Sequence, residues 1–321
     1  MVTRAEQERA EPRIVVVMPS YNRWHEARIS LSHLMKSEYG NFEVVLIEDG
    51  CTDGTAEKCR AEFPEVQMLH GDGNLWWSGA INMGIEYALS HGADAVVWIN
   101  DDNRVEPETL GSLVASYRRQ GERSIVCSRI KLIGADEREW RGDPPPWHEA
   151  AKTWTVPDIS GIEDLQIAHP PGGQGVLVPA VCFREIGLTD QRNFPMHWAD
   201  HNFHYRAMKA GYKYFIATKA VVWNKPNEKR GAAKNIFTLR GSLWLLLSRR
   251  SPTNMMTLRR HFKLMLPPRE YRKTFYPMLW RHVKWLSYEW LIRQPALHKP
   301  MRAVKRRLFQ GRGKEEKWVK G

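Results

Sequence analysis

The chain has 321 residues, 42% of them hydrophobic, which is enough to bury a substantial core and excludes a disordered polypeptide. Forty-eight Lys and Arg against 36 Asp and Glu give a formal charge of +12, suited to an anionic partner (nucleotide, lipid headgroup or nucleic acid) without selecting one. The four cysteines, Cys51, Cys59, Cys127 and Cys182, form no CxxC pair and have no His at zinc spacing, so free thiols in a reducing compartment are expected.

Residues 1–12 are polar and charged, lack the apolar stretch of a signal peptide and are expected to be disordered. Residues 14–18 are an apolar, β-branched run that stops at Pro19-Ser20, the pattern of a buried strand. A helix follows over 26–36, with Ile29, Leu31 and Leu34 as apolar points, then a strand over 42–47. Residues 55–63 predict a helix capped from Thr52 or Asp53. Next come a strand over 66–69, a helix over 78–90 with Ile81, Ile85 and Leu89 on one face, and a strand over 95–99. Pro107 suits the first turn of another helix. Past Cys127 the pattern loosens: loops over 143–146 and 170–175, strands over 176–179 and 214–222, and a helix over 200–210 ended by Gly211. From residue 231 the chain is basic and helical. Apolar strands separated by helices imply an α/β fold with a mostly parallel central sheet covered on both faces. Ligands of such sheets bind beyond the carboxyl ends of the strands.

Three acidic features fall at such ends. Glu48-Asp49-Gly50-Cys51-Thr52-Asp53-Gly54-Thr55 follows the second strand; Asp49 could accept the imide N–H of a uracil or thymine, or the segment is an ordinary turn with a capping Asp. Asn100-Asp101-Asp102-Asn103 follows the fourth. Adjacent carboxylates there are comfortable if solvated or if they share a cation such as Mg²⁺ or Mn²⁺ with a diphosphate. Asp200 precedes a helix and is either its N-cap or a general base. Gly172-Gly173-Gln174-Gly175 is a turn or the lining of an acceptor site. Trp76 and Trp77 stack on a sugar or pack in the core or as a lid. His197, His201 and His204 read as satisfied or solvent-facing rather than as a metal site. No P-loop, dinucleotide fingerprint or G-x-S-x-G elbow occurs.

In order, Val17-Met18-Pro19-Ser20-Tyr21-Asn22-Arg23, the Glu48–Thr55 segment and Asn100-Asp101-Asp102-Asn103 resemble the family-2 inverting glycosyltransferases of GT-A fold. The stretch from Gly73 to Gly84 resembles a subgroup that includes rhamnosyltransferases and related surface-polysaccharide enzymes. The resemblance covers about residues 13–225. It implies that Pro19, Ser20 and Asp49 hold the nucleotide base, with Arg23 near the ribose or diphosphate. Asp102 would bind the metal with Asp101 beside it, Asn82 would face the donor, and Asp200 would be the catalytic base. Gly173 and Trp198 fall on the acceptor side. Asn100, Ala199 and Asn224 depart from the family pattern, leaving fewer ligands for the metal.

The expected organisation is a disordered 1–12, a GT-A domain over 13–230 and a basic, Trp-rich helical region over 231–321. In the last, Leu279, Val283, Leu286 and Trp290 recur at helical spacing. Trp280 and Trp285 flank them, Arg281, Lys284, Ser287 and Tyr288 lie on other faces, and Lys299, Arg302, Lys305, Arg306 and Arg307 follow. Such a helix lies on an anionic membrane surface or packs on the catalytic domain. The run 243–247 is far short of the about 20 apolar residues that span a bilayer. A cytoplasmic protein, peripheral on the inner face of the membrane, is therefore expected. Nucleic acid is not expected as a partner, since no recognition motif accompanies the charge. A sugar nucleotidyltransferase and a degenerate sugar-nucleotide-binding scaffold are the competing functions. Ser20-Tyr21-Asn22-Arg23, standing where the former carries a Gly-rich basic loop, argues against it.

Overall fold

A computed structural model of the protein describes residues 11–133, 139–140, 161–168, 172–225, 239–249, 251 and 254–291. The expectations for residues 1–10, for the loop at 143–146 and for the polybasic run from Lys299 to Arg307 lie outside the described residues. The chain divides into two units, Met1–Pro226 and Asn227–Gly321.

The first unit opens with β1 (Ile14–Ser20), α1 (Trp24–Leu34), β2 (Phe42–Glu48), α2 (Thr55–Glu62), β3 (Gln67–His70), α3 (Trp76–Ser90) and β4 (Ala95–Trp98). It continues with β5 (Asn103–Val105), α4 (Thr109–Gln120), β6 (Ser124–Leu132), β7 (Glu139–Trp140), β8 (Asp164–Ile167), β9 (Val176–Pro179), α5 (Ala180–Ile186), α6 (Ala199–Lys209) and β10 (Lys213–Asn224). One sheet takes the strands in the order β3-β2-β1-β4-β9-β6-β10-β5, with β7 beside β6 and β8 beside β10. The four N-terminal strands are parallel, as their continuous apolar runs require. Beyond β4 the sheet is mixed: β9 runs antiparallel to both β4 and β6, and β10 is parallel to β6. β5, β6 and β8 were not distinguished in the sequence, because three- and four-residue strands and a strand carrying Ser, Arg and Lys give no clean apolar run.

Alternate residues of β1 face opposite ways. Ile14, Val16 and Met18 pack with Ala27 and Leu31 of α1 and Leu110 and Leu113 of α4. Val15 and Val17 pack with Ile81 and Ile85 of α3 and with Phe183 and Phe203 of α5 and α6. β1 is thus covered on both faces, as its unbroken hydrophobicity demands. A Cβ on Gly84 of α3 would stand 2.3 Å from Val17 Cγ1 and 2.9 Å from Ile47 Cδ1. Gly→Ala ordinarily stabilises a helix interior by about 1 kcal/mol; here overpacking outweighs it. Gly84→Ala is expected to destabilise the protein by about 1–3 kcal/mol, read as a lowered urea midpoint.

Helix capping differs from expectation at one point. Gly54, in the left-handed region at φ 78°, is the N-cap of α2 and contributes no side-chain bond. Asp53 accepts from Thr55 N and Oγ1 through Oδ1, while its Oδ2 accepts from Trp24 N at 2.9 Å. One carboxylate therefore caps α2 and the first residue of α1 together, tying the loop after β2 to the loop after β1.

The described part of the second unit is helical: α7 (Leu239–Leu247), α8 (Met255–Met265) and α9 (Pro268–Leu291). Asn254 caps α8 by accepting from Thr257 N at 2.9 Å. Among the described residues of α9, Phe275 and Tyr288 are buried, whereas Tyr276, Trp280, Val283 and Trp290 are exposed. Tyr288, expected off the apolar stripe, is thus buried, while Val283 and Trp290 of that stripe are exposed. Among the described residues no helix is long and apolar enough to cross a membrane.

Candidate active site

In the strand order 3-2-1-4 the chain leaves β1 to one side for β2 and β3, then crosses back to the other for β4. The crevice beyond the carboxyl ends of β1, β2 and β4 lies at that reversal, where open α/β sheets bind ligands. Ser20, Asp49 and Asn100–Asn103 all emerge there. Because β9 runs antiparallel to β4, with Trp98 opposite Val176, the glycine segment 172–175 enters the same crevice from the other direction.

The Asp101-Asp102 pair is held by one guanidinium. Arg23 Nη1 donates to Asp101 Oδ1 at 2.5 Å and Nη2 to Asp102 Oδ2 at 2.9 Å. Burial works against the Arg23 charge, but the two carboxylates outweigh it and hold its pKa above the ordinary value. Ser20 Oγ donates to the other oxygen of Asp101 at 3.1 Å. Asp101, 4% exposed, has both oxygens engaged. Asp102 keeps Oδ1 without a hydrogen bond among the described residues. Arg23, expected beside the ribose or diphosphate, thus lies between the carboxylates, and the Ser20 hydroxyl serves Asp101. Pro19 pairs with Ile47 near the end of β1.

Asn100 and Asn103 shape the acidic turn. Asn103 Oδ1 accepts from Asn100 N at 2.9 Å, and its Nδ2 donates to Gln174 Oε1 at 3.0 Å and reaches Asn224 Oδ1 at 3.4 Å. Asn100 Oδ1 accepts from Trp77 Nε1 at 3.0 Å. The amides at 100 and 224 are therefore parts of a neutral network that joins the acidic turn to the glycine segment. Trp77 packs edge-on against Trp98, ring centroids 5.9 Å apart, which makes it a structural neighbour of the crevice.

Asp49 is 6% exposed and accepts from Gly73 N at 2.8 Å, Leu75 N at 3.2 Å and Trp76 N at 2.9 Å. It anchors the loop entering α3, whose Trp76 sits at a positive φ of 59°. Behind it, Glu48 accepts from Cys51 N at 2.7 Å and pairs with His70 at 2.6 Å. Burial raises the Glu48 carboxyl, but these partners win and lower it.

Asn82, expected to face the donor, turns its amide to the segment before α6. Its Nδ2 donates to Thr189 O at 3.0 Å and Gln191 Oε1 at 3.1 Å, and its Oδ1 accepts from Thr189 N and Oγ1. These bonds pin that segment to α3. One turn earlier, Ser78 N and Oγ bind Pro195 O and Phe194 O. Asn82→Ala would leave buried Thr189 groups unsatisfied. It is expected to cost about 2–3 kcal/mol in chemical denaturation while leaving nucleotide affinity within twofold.

Asp200 lies in the first turn of α6, after Trp198, which occupies the left-handed region at φ 71°. Asp200 is half-buried. Burial pushes its carboxyl up, but His201, His204 and the N–H groups of His201 and Gly173 outweigh this and bring it below the ordinary value. A side chain at Gly173 would crowd its neighbours: a Cβ would stand 3.0 Å from the Trp77 ring and 3.1 Å from Asp200 Cβ. Asn100, Trp77, Gly173 and Asp200 thus form a continuous line of contacts, which brings the acidic turn and Asp200 into one crevice. Trp198 packs by His201, ring centroids 5.4 Å apart. The network in which Trp77, Asn103, Gln174 and His204 take part is not legible in the sequence. Apart from the Asn100–Asn103 bond, it joins residues far apart in the chain.

Among the described residues no three His, Cys, Asp or Glu side chains converge as a metal cage. The donor set instead fits a hard cation shared between one carboxylate, Asp102, and substrate phosphates, a usual arrangement for Mg²⁺.

Residues 15–165 match the model of the family described as Glycosyl transferase family 2. An undecaprenyl-phosphate mannosyltransferase of Micrococcus luteus is 28% identical over 131 residues, 40% of this chain and 52% of that protein. Glycosyltransferase GlyG of Streptococcus pneumoniae is 36% identical over 116 residues, 35% of this chain and 38% of that one. The chain therefore spans about half the length, or less, of these relatives. Among solved structures, S. aureus TarS is similar over 78% of this chain and 43% of its own, with a TM-score of 0.49 and 15% identity. Its strand-end motifs gather at one sheet edge, and the chain matches the glycosyl transferase family 2 model across residues 15–165.

Proposed function

We propose that the protein is an inverting glycosyltransferase. It moves a sugar from a nucleotide-diphosphate-sugar to a hydroxyl of a glycan or lipid-linked acceptor in cell-surface polysaccharide assembly. The observation that carries this is the placement of Asp200. It is a half-buried carboxylate with its pKa held down, tied through Gly173 and Trp77 to the turn that bears Asp101 and Asp102. A base and a diphosphate-binding turn in one crevice are the two components a single displacement needs.

Asp200 accepts the proton of the acceptor hydroxyl as its oxygen attacks the anomeric carbon, and the nucleoside diphosphate departs from the opposite face. One such displacement inverts the anomeric configuration, and no covalent nucleophile is required. A divalent cation, Mg²⁺ or Mn²⁺, held by Asp102 and the donor phosphates would supply charge neutralisation on the leaving group. Arg23 holds Asp101 and Asp102 side by side and presents positive charge to the diphosphate. The end of β1, with Pro19 and Ser20, and the loop after β2, with Asp49, form the base pocket, and Asp53 stitches the two loops that follow them. Ser20 and Asp49 contribute mainly by shaping it, since their polar groups are engaged elsewhere. Gly173 and Trp198 border the acceptor side. The donor is a dTDP- or UDP-sugar, with rhamnose the first candidate.

The mannosyltransferase of Micrococcus luteus is named for a lipid phosphate, which supports an acceptor at a membrane. Exposed Trp280, Val283 and Trp290, with exposed Arg281 and Lys284 on the same helix, support a peripheral contact with an anionic bilayer on its cytoplasmic face.

The test is calorimetric titration of UDP, dTDP, GDP and CDP with and without Mn²⁺, followed by sedimentation with anionic vesicles. Binding of one nucleotide, tightened by Mn²⁺, is expected. No binding of any nucleotide by folded protein would favour the degenerate scaffold instead.

A further inference from the structure

Asp200 and His204 stand one turn apart on α6, and each holds one end of the same peptide group. The Gly172 carbonyl oxygen lies 3.1 Å from His204 Nε2. Across that peptide bond, the Gly173 N–H faces the Asp200 carboxylate and helps to hold its pKa down. A carbonyl can only accept, so Nε2 carries the imidazole proton and Nδ1 is the acceptor. Tyr214 Oη lies 3.1 Å from Nδ1 and 3.2 Å from the His204 carbonyl oxygen, two acceptors that share its one hydroxyl proton. From the imidazole onward the polar groups line up, ring to peptide and peptide to carboxylate. Aligned bonds in a site shielded from water polarise one another.

We propose that His204 is a positioning residue for sugar transfer, acting through the Gly172–Gly173 peptide to fix the orientation of the Asp200 carboxylate and the oxygen it leaves for the acceptor hydroxyl. This rests on Asp200 as the base. The surroundings are built for the relay. His204 is 1% exposed and Tyr214 2%. The His204 ring packs at 85° to the Tyr214 ring, centroids 5.4 Å apart, and against Trp98 at 5.7 Å. Burial, opposed by Asp200, lowers the imidazole to about 4, so it stays neutral and keeps a single tautomer. Gly172 has φ 105°, a conformation for glycine, and a side chain at Gly173 would crowd Trp77 and Asp200. The titratable groups acting on Asp200 are His201 and His204; those on His204 are Asp200 and His201. Those on Tyr214 are Cys127 and Cys182, whose thiols burial raises and keeps neutral.

The experiment compares wild type, His204→Gln, which can still donate to Gly172, and His204→Leu, which cannot. It follows the Asp200 carboxyl carbon by NMR across pH, together with the pH profile of kcat and the KM for donor. In His204→Leu both the carboxyl titration and the acid limb of kcat are expected to move up by about half to one pH unit. Its kcat should fall about tenfold with donor KM within twofold, and His204→Gln should stay near wild type. An unmoved Asp200 titration in folded His204→Leu, or His204→Gln as damaged as His204→Leu, overturns the proposal. Should His204→Leu not fold, Tyr214→Phe carries the same test with a shift of a few tenths of a unit, and no shift overturns it. If the titration moves but Asp200→Ala still transfers sugar, the error lies in the choice of base and not in the relay.

Discussion

Asp200→Ala is expected to lower the rate constant of sugar transfer by about 10²–10⁴-fold, the contribution of a positioned general base, while donor nucleotide still binds with affinity close to wild type. The separation follows from where the residue sits. Asp200 starts α6 under the Gly172–Gly173 strap, whereas the nucleotide side is built from the ends of β1, β2 and β4, none of which it touches through a hydrogen bond among the described residues. Turnover of radiolabelled donor, together with nucleotide titration on the same preparation, measures both. Transfer retained at more than a tenth of wild type would remove Asp200 as the base. The pH dependence has a fixed sign. The base works ionised, and its folded-state pKa lies below the ordinary carboxylate value. Activity should therefore persist as pH falls through the usual carboxylate range and be lost only below it. An acid limb above that range would mean that burial, which raises the carboxyl, dominates after all.

The second large effect separates two adjacent residues that a motif treats as one. Asp101→Ala removes a buried carboxylate that accepts from both Arg23 and Ser20. Loss of one partner of a fully buried pair costs about 3–5 kcal/mol. Arg23 is about a quarter exposed, so about 2–3 kcal/mol is expected here, seen as a lowered denaturation midpoint. Asp102→Ala takes away only the second tine of the fork, and its stability should stay within about 1 kcal/mol of wild type. Its consequence should appear instead in titration: the increment in nucleotide affinity given by Mn²⁺ should vanish. Equal destabilisation by the two variants would mean that the Arg23 fork does not hold the turn. A surviving Mn²⁺ increment in Asp102→Ala would remove Asp102 as the ligand.

Of the four parallel strands, β1, β2 and β4 were legible as buried apolar runs, while β3 is a short, partly exposed strand with polar ends. Burial on both faces of a sheet leaves an apolar trace in the sequence. The acidic turn and Asp200 could be found for a related reason: they follow directly on such strands or open a periodic helix, so chain order alone brings them to a sheet edge. Asn82 shows where this stops. It lies in a motif with the expected order and spacing, yet its amide is consumed by Thr189 and Gln191, more than 100 residues away. Whether a polar side chain on a helix meets a ligand or another loop is decided by what packs opposite it, and local sequence does not record that.

The sequence by itself determined the alternation of strands and helices, the edge of the sheet where ligands meet the protein, and the residue types gathered there. Those properties follow from hydrophobic periodicity and turn chemistry, which act over a few residues. Only the tertiary structure decided which groups remain available for chemistry. It gave the Ser20 hydroxyl to Asp101, the Arg23 fork to Asp101 and Asp102 together, the Asp49 carboxylate to the loop entering α3, and the Gly172–Gly173 peptide to His204 and Asp200. Those assignments are competitions for a limited number of donors and acceptors among segments far apart in the chain. Their outcome is fixed when the antiparallel β9 delivers its glycines to the end of β4.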